Sequence, residues 1–266
     1  MKNIFLFPLA IILALYAASC TSSQKTTDLA DSLKTSPNKI VSQFKMLSVN
    51  AHHGLKDKSD VKQFADWIKA TGAEVVAVQQ IERATDSKPG FDAYRELLKQ
   101  LDMRGTFAKA RYFQGWDSGN ALFCLYPLLQ SNSFMLPTGK GKVRRAMSFA
   151  IFEMGLSSLA FGSADLDEEE LAERIKQVNE MLSIQKTMKE FPMTIGGNFG
   201  ESPKGKAAAK MTENYLCANN TNEQTAGMEQ HIYLPSNGKM SVILSEKKQY
   251  NVLKTTGILV TAEVTQ

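Results

Sequence analysis

Val61, Phe64, Ala65 and Ile68 recur at helical spacing, and the stop signal Gly72 is followed almost at once by an unbroken apolar run at 75–78. This junction constrains the fold more than any other segment. A helix with one apolar stripe needs one covering partner, whereas a strand that is apolar at successive positions is buried on both faces. The helix can therefore cover only one side of the sheet, and another apolar layer has to cover the other. Ser59 reads as the helix cap. A second stripe follows, Tyr94, Leu97, Leu98 and Leu101, ending near Gly105. A third helix spans 168–191, with Leu171, Ile175, Val178 and Leu182 on its apolar side and Glu169, Glu173, Lys176 and Glu180 opposite. Those acids read as a solvated face rather than a carboxylate site. Helices alternate with buried strands in the first half, and paired strands follow over 145–163. The pattern implies a mixed two-sheet core with helices outside.

Residues 1–20 carry a different signal. Lys2 precedes an apolar run over 4–18 that is too short for a membrane span and has the length of a secretory leader. Ala17, Ala18 and Ser19 before Cys20 resemble a bacterial lipobox, with Ala17 where Leu is usual. The expectation is cleavage before Cys20, lipid attachment to it, and a bacterial envelope location at the outer membrane or the periplasmic face. An ordinary signal peptide cut nearby is the alternative. Residues 21–43 are rich in Ser, Thr, Lys and Asp and too poor in large apolar side chains to bury themselves, so they read as a flexible tether. Residues 44–266 have the length of one large α/β domain and show no internal repeat.

Two cysteines remain, Cys124 and Cys217, either a disulfide in an oxidising envelope or two separate thiols. Neither has zinc-site spacing. The formal net charge is +4, of which the leader's Lys2 supplies one, so the balance argues only weakly for an anionic partner. The local basic runs Lys140, Lys142, Arg144, Arg145 and Lys204, Lys206, Lys210 read as solvated loops.

A series of short motifs runs through the domain. Asn50-Ala51-His52-His53-Gly54 closes an apolar strand, Gln79-Gln80-Ile81 closes the next, and Ser118-Gly119-Asn120-Ala121 opens a third. Arg145 heads an apolar run, and Ser163-Ala164-Asp165-Leu166-Asp167 ends another. Gly197-Asn198-Phe199-Gly200-Glu201-Ser202-Pro203, Gln230-His231-Ile232 and Thr256-Gly257 follow. In this order and spacing the motifs resemble the endonuclease/exonuclease/phosphatase superfamily. That resemblance implies a four-layered α/β/β/α sandwich of two mixed sheets flanked by helices, with a site where strand ends of both sheets meet.

The resemblance also implies which positions would do chemistry. Asn50, Asn120 and Arg145 match the family. Gln80 stands at its metal-binding Glu, Ser118 at its Tyr, and Asp165 at a His that helps bind the scissile phosphate. Asn198 and Gly200 replace an Asp and an Asn, Gln230 another Asp, and Thr256 and Gly257 an Asp and the catalytic His. A neutral amide cannot take a proton from water as an Asp does, and magnesium is poorly held by amides alone. The expectation is therefore a catalytically degenerate envelope lipoprotein that acts by binding or assembly and needs no cofactor. Its expected partners are the membrane, through the Cys20 lipid, and an anionic or phosphate-bearing ligand or an envelope protein. The rival is an active phosphoesterase on magnesium or manganese, its site rebuilt from Glu82, Asp165 and Glu201, with Asp117 and Asp167 also adjacent to replaced positions. A third reading is a scaffold whose cleft its own side chains fill. His52 and His53, adjacent on an extended strand, would point opposite ways and not chelate one ion, and His231 reads as structural or at the rim.

Overall fold

The computed structural model describes residues 43–85, 90–155, 157–188, 190–191 and 193–265. The leader, Cys20 and all of the expected tether except Gln43 lie outside these residues. Strand β1 (Gln43–Asn50) begins one residue before the expected boundary. Helix α1 (Lys58–Thr71) and strand β2 (Val75–Arg83) follow. The helix is capped by Asp57 rather than Ser59, the Asp57 carboxylate accepting from the amides of Ser59 and Asp60 at 2.8 and 3.0 Å. Gly72 closes it at φ 71°.

Helix α2 (Ala93–Leu101) stops at Asp102 in the left-handed region, ahead of Gly105. Gly105 lies within β3 (Arg104–Phe113), which pairs with β4 (Trp116–Cys124). Strands β5 (Leu128–Leu136) and β6 (Arg145–Met154) then cross to the second sheet. There β7 (Ser157–Asp165), α3 (Leu171–Thr187), β8 (Met193–Asn198), α4 (Lys206–Met211), β9 (Tyr215–Cys217) and β10 (Gln230–Pro235) repeat the order strand, helix, strand, helix, strand, strand. The hairpin of β11 (Met240–Tyr250) and β12 (Thr255–Val264) returns to the first sheet.

The sheets run β11-β12-β1-β2-β4-β3 and β5-β6-β7-β8-β10-β9. Each has one parallel pair, β1 with β2 and β7 with β8, joined by a crossover helix, and antiparallel neighbours elsewhere. Three apolar clusters separate four layers. One lies between α1, α2 and the first sheet, including Phe64, Ile68, Leu97 and Phe123. The middle one, with Phe44, Met46, Phe152, Phe161 and Ile258, packs the sheets together. The last, with Phe149, Val178, Met181 and Ile195, lies under α3 and α4. The expected α/β/β/α sandwich is thus the observed architecture. All three clusters lie within residues 43–264, so this segment carries its own core.

Helix α3 is shorter than the expected 168–191, and its contact face is rotated. Val178, Met181 and Ile184 are buried, whereas Leu171, Ile175 and Leu182 are only partly covered. The expectation of a wholly solvated acidic face fails at Glu173, which is buried and accepts from the Gly139 amide at 2.9 Å and the Lys176 ammonium at 2.7 Å. A loop 34 residues away supplies that partner, which helical periodicity does not reveal. Cys124 belongs to the middle cluster and Cys217 to the one under α3, and both are free thiols, which decides between the two cysteine readings.

Sheet-to-sheet contact is close at Gly196 in β8. A Cβ there would lie 2.9 Å from the Met46 methyl and 3.0 Å from the Cβ atoms of Ala77 and Ser48. Gly196→Val is expected to destabilise the domain by about 1–3 kcal/mol through overpacking. At this chain length that is a fall of about 2–4 °C in Tm per kcal/mol, readable by circular dichroism. An unchanged Tm would show that the sheets are not in contact there.

Candidate functional site

The ends of β1, β2, β7, β8 and β10 converge on one edge of the sandwich. At the end of β2 the antiparallel register breaks. Val78 stands opposite Ala121 and Ile81 opposite Gly119, so Gln79 and Gln80 share the space across from Asn120. Gln80 takes φ 52° in this bulge. Gln79 consequently turns between the sheets, donating to the Ser163 hydroxyl at 3.0 Å. Gln80 reaches over the edge and donates to Asp165 Oδ2 at 3.3 Å and Glu168 Oε1 at 3.0 Å. Simple alternation would put Gln80 and Glu82 on one face. The bulge gives them separate partners instead, Glu82 bonding Lys56 at 3.3 Å and lying 3.6 Å from the His53 ring.

Asp165 is the centre of the polar network. It pairs with the Arg145 guanidinium and accepts from Asn198 Nδ2 at 3.2 Å as well as from Gln80. Burial pushes its carboxyl above the usual carboxylate range, against the pull of Arg145. Asn198 Nδ2 also lies 3.4 Å from Glu168, whose carboxylate the sequence reading had assigned to a helix start. Asn120 donates to the Ala146 carbonyl at 2.6 Å, and Ser118, also buried, lies opposite Glu82 and Arg111 in the sheet.

Beside this network is a cavity of about 330 Å³ lined by Asn50, Asn198, Gln230 and Thr256. Lys247, Lys254 and His52 add basic groups and Glu229 one acid. The amides of this site turn their oxygens inward. Asn50 Oδ1 accepts from the His52 amide at 2.8 Å, Asn198 Oδ1 from the Gly200 amide at 3.2 Å, and Gln230 Oε1 from the Ser48 hydroxyl at 3.0 Å. Asn50 Nδ2, on a residue only 1% exposed, has no partner. Thr256 donates to Gln249 at 2.8 Å. Gly200 sits in the following turn at φ 63°. Gly257 does not line the cavity, and a Cβ on it would meet the Ser48 carbonyl at 3.0 Å and Leu47 at 3.1 Å.

These residues do not suit magnesium or manganese. A hard cation needs anionic oxygens, and here Asn50, Asn198 and Gln230 offer only neutral amide oxygens, each already accepting a hydrogen bond within the fold. The three acids proposed for a rebuilt site are not brought together. Glu82 is bound to Lys56, Asp165 to Arg145, and Glu201 to Arg174 at 3.5 Å and the Ala208 amide at 2.7 Å. Asp117 pairs with Lys109, and Asp167 accepts from the amides of Glu169 and Glu170. Among the described residues no group of three or more His, Cys, Asp or Glu is placed to hold a metal ion.

The histidines divide differently from the extended-strand expectation. His52 and His53 both have positive φ in a turn beyond β1. His53 stacks on Phe113 with ring centroids 4.3 Å apart and faces Arg111 Nη2 at 3.3 Å. Burial, with Arg111 and Lys56 beside it, lowers its pKa to about 4, so its contact with Glu82 is not an ion pair at neutral pH. His231 is fully buried, stacked on Phe199, with Nε2 donating to the Met228 carbonyl at 2.9 Å and Nδ1 accepting from the Tyr233 hydroxyl at 3.0 Å. It is structural. Arg111, Glu168, Lys247 and Lys254 were missed in the sequence, because each reaches the site through a loop or an edge strand without motif context.

Solved structures similar to this chain include endonuclease/exonuclease/phosphatase proteins. The chain has the endonuclease/exonuclease/phosphatase fold. An endonuclease/exonuclease/phosphatase from Beutenbergia cavernae superposes with a TM-score of 0.67 at 13% identity, over 84% of this chain and 72% of that one. The human Nocturnin catalytic domain, solved with a bound sulfate anion, gives 0.67 at 16% identity over 84% and 94%. A Bacteroides thetaiotaomicron mannosyl-6-phosphatase gives 0.60 at 12% identity over 84% and 100%. No family model matches the sequence, and no curated protein does.

Burial lowers the His231 pKa from 6.5 to about 4. The unfolded ring takes its proton near pH 6.5 and the folded one only near 4, so the stability it lends is complete above 6.5 and is lost as pH falls toward 4. The loss is about 3 kcal/mol. Urea midpoints measured between pH 7 and 4 are expected to fall accordingly, with a flatter profile in His231→Gln. Equal slopes in both proteins would contradict a neutral buried ring.

Proposed function

We propose that this is a catalytically degenerate endonuclease/exonuclease/phosphatase-fold domain, lipid-anchored in a bacterial envelope through Cys20, whose cleft binds an oxyanion-bearing polar ligand without hydrolysing it. One observation carries the reading: the site's amide oxygens accept hydrogen bonds within the fold, and Asn50 Nδ2 is left without a partner at the cavity wall. Such a lining suits carboxylate or phosphate oxygens and repels cations. Lys247 and Lys254 reinforce that preference, and Glu229 opposes it. An open cavity favours ligand binding over the purely scaffolding alternative. The lipid anchor rests on the leader and Cys20 in the sequence.

The rival activity has one feature in its favour, Glu168 and Asp165 accepting from the same two amides. Both acids are needed if a metal is to be held there. Losing a positioned base typically costs on the order of 10²- to 10⁴-fold in rate. Purified protein with magnesium or manganese is expected to leave a generic phosphodiester and a generic phosphomonoester at the background rate. A metal-dependent rate abolished by Glu168→Gln would establish the phosphoesterase and overturn the binding reading.

A further inference from the structure

Where the edge strands β3 and β5 of the two sheets lie side by side, a concave patch of about 460 Å³ opens outside the cavity, adjoining the Asp165 network only through Arg111. Its charged lining is Lys109, Arg111, Lys142 and Arg144, with no acid. Lys109 and Lys142 pair with Asp117 and Glu170 at 2.6 and 3.2 Å, but both lysines are largely exposed, and surface pairs of this kind contribute only about 0–1 kcal/mol. Arg111 lies over the Phe113 ring at 4.9 Å, and Arg144 is exposed with no ion-pair partner among the described residues. Among these cations three large apolar side chains stand in water: Tyr112 is 60% exposed, Met135 51% and Val143 39%.

We propose that this patch docks the domain on an anionic phospholipid bilayer, Arg144, Arg111 and the lysines engaging headgroup phosphates while Tyr112, Met135 and Val143 enter the headgroup boundary. Exposed apolar tips ringed by cations gain from both parts of such a surface, apolar area removed from water and attraction to anionic lipid. A single-stranded nucleic acid would use ring faces for its bases, and among the patch residues only Tyr112 has one. The docking is separate from the Cys20 lipid and from ligand binding in the cleft, so either can fail without the other.

Residues 43–266, which lack the leader and Cys20 and carry all three core clusters, test this in sedimentation with phosphatidylcholine vesicles, with and without about 30% phosphatidylglycerol. Binding is expected only with the anionic lipid. Arg144→Glu should weaken it on the order of tenfold, since each cation near such a surface is worth about 1 kcal/mol. Met135→Ser with Val143→Ser should weaken it severalfold through lost apolar burial. All three positions are exposed, and circular dichroism checks that the variants stay folded. No binding to either vesicle, or anionic binding unchanged in both variants, would overturn the proposal. So would sensitivity to Arg144→Glu without sensitivity to the double Ser variant, which marks attraction to phosphate with no bilayer contact. Tighter binding of a single-stranded oligonucleotide than of the anionic vesicles would reassign the patch.

Discussion

At the site end of the sandwich the two sheets are joined by hydrogen bonds from side chains of one sheet to groups of the other. Ser48 meets Gln230, Gln79 meets Ser163, Asn120 meets the Ala146 carbonyl, and Gln80 meets Asp165, each pair spanning from one sheet to the other. Deeper in the sandwich the contact is apolar, through Phe44, Met46, Phe161 and Ile258. A net hydrogen bond contributes only about 0.5–1.5 kcal/mol, but a buried group left unpaired costs more. The seam therefore specifies how the sheets meet more than it strengthens their contact.

That structural duty shapes the chemistry of the edge. Gln230 bonds across the seam through its oxygen, while Asn50 and Asn198 cap local backbone amides through theirs. The nitrogens are left to donate, Asn198 Nδ2 to Asp165 and Glu168, while Asn50 Nδ2 has no partner. Asp165 is the buried anion on which Asn198, Gln80 and Arg145 converge. Taking away the guanidinium would leave that carboxylate unpaired, a far larger penalty than the pair's net stabilisation. The arrangement makes the site internally neutralised, and a neutralised edge is a poor place to hold a divalent ion.

Much of the fold was legible in the residues. The stripe Val61, Phe64, Ala65, Ile68 and the run at 75–78 gave a helix and a buried strand where the structure has them, and the motif order gave the layers. The family resemblance set Asn50, Asn198, Gln230 and Thr256 at site positions, and the four line one cavity. Three things were not legible. The bulge that separates Gln79 from Gln80 depends on pairing with β4, the burial of Glu173 depends on a loop from another part of the chain, and the turn at His52 and His53 replaces an expected extended segment. Each is a tertiary contact that local periodicity does not encode. The orientation of an amide is likewise invisible in sequence, since Asn offers oxygen or nitrogen equally until its neighbours choose.

The internally neutralised edge is the central claim, and manganese titration followed by calorimetry and electron paramagnetic resonance tests it most directly. Neutral amides and an Asp165 carboxylate already paired to Arg145 predict no saturable manganese binding below the millimolar range, because such a cation needs several free anionic oxygens. Saturable micromolar binding that Asp165→Asn or Glu168→Gln removes would contradict the account and place a metal site at this edge.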